Sequence, residues 1–78
     1  MTKIALYMIM CSVVAGECMA PVQMDEYYDD MYTCLNAGYR ESLDKSIEIG
    51  RSDVNQHEIY MKFICREIEI IIPPGKPV

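Results

Sequence analysis

Apolar positions along the chain fall into three blocks, each with its own spacing. Ile4 to Ser12 is an almost unbroken apolar run, rich in residues that suit a strand covered on at least one face. Residues 25–50 follow a helical period. At about 100° per residue, Tyr27, Met31, Cys34, Leu35, Gly38, Ser42, Leu43 and Ile49 share one broad face, with Tyr39, Ser46 and Ile47 at its edge. Asp30, Thr33, Ala37, Arg40, Asp44 and Glu48 lie opposite. Asp25 is placed to cap this helix, and Asp25, Glu26, Asp29 and Asp30 crowd its first turns, where the helix dipole favours negative charge. Gly50 is the stop signal. Gly38, in mid-helix on the apolar face, costs roughly 1 kcal/mol relative to alanine, so either a backbone approaches there or the loss is tolerated.

The third block, residues 57–72, alternates. Ile59, Met61, Phe63 and Cys65 take turns with Tyr60, Lys62, Ile64 and Arg66, which predicts a strand with one packed face and one partly wet face. Beyond Cys65 the pattern changes parity: Ile68, Ile70 and Ile72 fall on the side of Lys62 and Arg66, and Glu67 and Glu69 on the side of Phe63. That switch predicts a bulge, a bend or departure onto another surface. Residues 73–78 read as an extended Pro-rich tail outside a single domain of residues 1–72. Between the blocks, Ala15-Gly16-Glu17 offers a turn, Pro21 blocks regular structure, and residues 52–56 form a turn or a single helical turn. Strand, helix, strand with these connections predicts a small α/β fold, α+β-like in size. In it a right-handed crossover sets two parallel strands beneath one amphipathic helix. Such a topology gathers Cys11, Cys18, Cys34 and Cys65 at one pole.

At 78 residues and a net charge of −5, the chain has a thin core and an acidic surface. The charge argues against nucleic acid and for basic partners. Residues 1–15 have a second reading, as a secretory signal with Lys3 at its start and cleavage after Ala15. The apolar run is too short for a stable membrane span. Cleavage would discard Cys11, leaving Cys18, Cys34 and Cys65 as an odd set, and would leave the helix one strand to cover it. Both consequences favour the retained strand.

The segments CSVVAGEC (residues 11–18), YDDMYTCLNAGYRESL (28–43), and DVN followed by IYMKFIC (53–65) resemble a set of short proteins encoded by tailed phages of marine bacteria. The resemblance spans roughly residues 4–66. No activity is assigned to that group, so it transfers no catalytic residue. It implies that the hydrophobic start, Cys11 included, belongs to the domain.

The four cysteines admit two disulfides, a structural zinc site or reduced thiols buried as small hydrophobes. Disulfides are favoured, because a small even-cysteine chain gains most from stapling, whereas separations of 7, 16 and 31 residues suit zinc poorly. Of three pairings, Cys34 with Cys65 and Cys11 with Cys18 is preferred. No Cys-x-x-Cys is present to activate a thiol, His57 is solvated at a strand entrance, and the acidic residues lack a calcium-ligand loop. No cofactor and no enzymatic chemistry are therefore expected. One helix face cannot bury Tyr27, Tyr28, Tyr32 and Tyr39 together, so Tyr28 and Tyr32 are candidates to contact a protein partner, alongside the Ile68, Ile70 and Ile72 ladder. The chain thus reads as a noncatalytic viral accessory or protein-binding module. Its partner would be a host or virion protein, or a second copy through an open sheet edge, and an oxidising compartment is favoured if the cysteines pair. The alternatives are a secreted or periplasmic inhibitor with a cleaved signal, and a small zinc module.

Overall fold

The computed structural model of the chain describes residues 2–70. Its centre is the first apolar run, β1 (Thr2–Ser12), which is hydrogen-bonded along both edges. On one edge lie β2 (Glu17–Cys18) and β3 (Val22–Tyr28), which pair with successive stretches of β1. On the other edge lies β4 (Ile59–Glu69). The helix α1 (Met31–Ile49) packs on one face of this sheet and is followed at once by α2 (Arg51–His57).

The chain is a small α+β fold with two helices, but its sheet is antiparallel throughout, which overturns the parallel strand-helix-strand unit. The cause is one strand that helical periodicity concealed. A turn at residues 13–16, with Gly16 at φ 70°, folds the chain back along β1, so residues 22–28 form a strand that takes in 25–28, the expected first turn of the helix. That reversal brings Tyr28 opposite Ile4, so the helix starts at the opposite end from the one a crossover would use. It climbs back along the sheet, and β4 must then descend from Ser12 towards Thr2.

Two further expectations change with it. Asp30, not Asp25, caps α1: its side chain accepts from the Thr33 N–H at 2.8 Å, and no acidic residue lies in the first turn. The change of parity after Cys65 produces no bulge, since β4 stays in unbroken register with β1 from Ile59 to Glu69. Glu67 and Glu69 share the helix-covered side but lie opposite Ile4 and Thr2, where Glu69 accepts from the Thr2 hydroxyl. The irregularity falls instead on β3, between the Ala5 and Tyr7 pairings. Ile72 and the tail at 73–78 lie outside the described residues.

The core is small. Ile4, Leu6 and Met8 of β1 meet Cys34 and Ala37 of α1, with Met24, Tyr28, Met61, Phe63 and Cys65 packed around them. Gly38 explains itself here: a Cβ at that position would lie 2.3 Å from the Phe63 ring, so the missing side chain is the seat of that ring. The ring also meets Tyr39 edge-on, with centroids 4.9 Å apart. Cys34, Ala37 and Gly38 thus set the roll of the helix on the sheet. Ala37, expected on the solvent side, is buried, while Leu35, Leu43 and Ile47 are turned outward.

Candidate interaction surfaces

The cysteines form two bonds, Cys11 with Cys18 and Cys34 with Cys65, which is the preferred pairing. They do not share a pole. Cys65 stands opposite Leu6 and Cys11 opposite Tyr60, five residues apart along β1 and on opposite faces of the sheet by strand alternation. The Cys11–Cys18 bond joins a directly paired position of the β1–β2 hairpin, with Cα atoms 4.0 Å apart. The Cys34–Cys65 bond fastens α1 to β4, and the Cys34 Sγ lies 3.9 Å from the Ala5 carbonyl. Among the described residues, no cluster of three or more His, Cys, Asp or Glu is placed to hold a metal ion, and no helix is long and apolar enough to cross a membrane.

The tyrosines separate as their strands and helix dictate. Tyr28, at the end of β3, packs against the core and donates its hydroxyl to Glu26; burial, then the Glu26 charge, raises its pKa above the usual phenol value. Tyr28 is therefore chiefly a packing residue. Tyr32 stands in solvent. Ile68 is half-buried on the side of the sheet away from α1, and Ile70 is half-buried just past the strand. The acidic residues do not converge either: Asp29 pairs with Lys3, Asp30 caps the helix, and Asp25 and Glu26 lie in β3. His57 closes α2 in solvent, its carbonyl accepting from the Ser12 hydroxyl at 2.6 Å.

Sequence periodicity missed the groove between the second half of α1 and the sheet. It encloses about 280 Å³ and is lined by Met8, Met10, Met19, Met24 and Met61, with Glu41 and Lys45 from the helix. The signal was present as seven methionines in 78 residues, but their convergence needs β3, which folds Met24 over to Met8. A second apolar feature is the outer row of α1, where Met31, Leu35, Tyr39, Leu43 and Ile47 follow one another at every fourth residue and are all exposed.

Neither a protein-family model, a curated protein nor a solved structure matches the chain.

Proposed function

We propose that this chain is a noncatalytic protein-binding module, stapled by its two disulfides, whose methionine-lined groove receives an apolar anchor side chain from another protein. What supports it is the groove's lining. Methionine is unbranched and polarizable, so five of them around one recess form a surface that repacks to fit a guest. Apolar walls with a few polar groups at the margin are the ordinary make-up of a recognition pocket, and Glu41 and Lys45 supply both signs of charge there. The resemblance to tailed-phage proteins makes a virion or host protein the partner class.

The secreted alternative fits less well. A mature chain beginning at Gly16 would lack β1, the strand on which every other strand depends. The zinc alternative needs free thiolates, and the bonds Cys11–Cys18 and Cys34–Cys65 use all four sulfurs.

The test compares wild type with Met24→Glu, which puts a carboxylate at the half-buried edge of the groove. Proteins from phage-infected cells retained by each immobilised form are quantified by mass spectrometry, and any that differ are purified and titrated. A saturable 1:1 complex weakened at least tenfold by Met24→Glu is expected. Retention of the same proteins at the same level by both forms overturns the proposal.

A further inference from the structure

We infer that two copies of this chain associate through β4 and the outer row of α1, forming a continuous antiparallel sheet with the two helices side by side on one face. The inference is independent of the groove. Among the described residues β4 pairs with β1 alone, so from Ile59 to Ile68 its other edge presents backbone donors and acceptors to no other strand. It contains no proline and no bulge; of the devices that blunt such an edge it carries charge alone, at Lys62, Arg66 and Glu67. The edge on the other side of the sheet is split between β2 and β3, with Pro21 between them.

A two-fold axis normal to the sheet pairs β4 with its copy, and charge selects the register. Centring on Ile64 sets Lys62 opposite Arg66 of the second copy; centring on Lys62 or Arg66 sets each against itself. Centring on Cys65 puts Glu67 opposite Phe63 and Glu69 opposite Met61. Centring on Phe63 avoids the like-charge pairs and leaves one acidic-apolar pair, Glu67 opposite Ile59 at the end of the overlap. It places Arg66 opposite Tyr60, Lys62 opposite Ile64 and Met61 opposite Cys65.

The helix then answers the strand. Phe63 lies beneath Gly38 and Tyr39, so the same axis passes close to Tyr39. Reflected about that position, the fourfold-spaced row is self-complementary: Tyr39 meets Tyr39, Leu35 meets Leu43, and Met31 meets Ile47. These five side chains are 45, 38, 68, 60 and 68% exposed in chain order, a contiguous apolar strip of the kind that marks an interaction site. Rows at every fourth residue are those that interdigitate in the commonest class of helix packing. Spacing agrees as well. α1 is seated over β4 and β1, bonded to Cys65 and touching Ala5, so pairing β4 with its copy sets the helices two strand spacings apart. Two spacings are about 9.6 Å, within the ~8–10 Å of packed helices.

The test is sedimentation equilibrium from 1 μM to 1 mM on the oxidised chain, with amide hydrogen exchange at both ends of that range. The expected result is twice the 9.0 kDa chain mass at high concentration, with alternate amides of β4 gaining protection as the dimer forms. Leu43→Lys with Ile47→Lys should weaken association at least tenfold while circular dichroism is unchanged, since both side chains are exposed. Met24→Glu should leave the dimer intact, so a failed groove and a failed dimer are told apart. A monomer throughout, or a dimer whose β4 amides exchange as in the monomer or which survives Leu43→Lys with Ile47→Lys, overturns the inference.

Discussion

At Gly38 a single absent methyl group decides how helix and sheet meet. The Phe63 ring fills the place of the missing Cβ, 2.3 Å from where it would stand, and is held from the side by Tyr39. Gly38→Ala would gain about 1 kcal/mol of helix propensity. Against that, the near atoms belong to the inner half of the ring as well as its rim, so the ring must move bodily or the helix must lift. Overpacking of this kind costs about 1–3 kcal/mol, and lifting would also pull on the Cys34–Cys65 bond. Gly38→Ala should therefore be destabilised by about 1–2 kcal/mol in urea unfolding, and Phe63→Leu in that background should recover part of the loss. A Gly38→Ala chain more stable than wild type would show that Phe63 yields freely.

At the scale of elements, the start of α1 is set by Asp30. Hydrogen bonds from Thr33, through its side chain and its backbone N–H, hold the Asp30 carboxyl below the usual aspartate value. A carboxyl depressed in the folded chain stabilises it above the unfolded pKa, and the contribution disappears as pH falls through the folded value. The helix should thus lose stability at acid pH below the ordinary aspartate range. Asp30→Asn keeps a capping oxygen and removes the charge, so the difference between the two chains should be flat near neutrality and shrink in that acid window. Thermal unfolding followed at 222 nm from pH 6 to pH 2 measures it. The same boundary shows what the sequence makes legible. The strands β1 and β4 announce themselves by run and alternation, and most of α1 by its period. Residues 22–28 do not: Tyr27 and Met31 fit a helical wheel continuing into Cys34, yet Met24 and Tyr28 also fit an edge strand. Tertiary pairing with β1 decides between them, and local periodicity carries no record of it. Missing β3 reversed β4, dispersed the expected pole of sulfurs and hid the groove. The disulfide pairing survived because Cys34–Cys65 joins helix to strand and Cys11–Cys18 closes a local turn in either topology.

For the whole molecule, the balance between core and cross-links follows from one-sided coverage. A helix covers one face of the sheet, and among the described residues the largest fully enclosed side chains are Leu6, Cys11 and Cys34, two of them cysteines. A chain of this length has about 4–12 kcal/mol of stability at typical values per residue. The Cys34–Cys65 bond closes a 31-residue separation and the Cys11–Cys18 bond a 7-residue one. In the chain-entropy model these contribute about 4 and about 2 kcal/mol. Each pair replaced by alanine empties one enclosed site, at Cys34 or at Cys11, but the Cys11–Cys18 hairpin is also held independently by β1–β2 pairing, whereas Cys34–Cys65 is the bond that fastens α1 to β4. Both differences point the same way. The chain lacking Cys34–Cys65 should lie near its unfolding midpoint at room temperature, with α1 detached from β4. The chain lacking Cys11–Cys18 should stay folded with a lower melting temperature. Calorimetry of the two double variants, each with the other bond verified by intact mass, decides it. If losing the short hairpin bond costs as much as losing the long one, the turn at residues 13–16, not the fastening of helix to sheet, limits the stability of this fold.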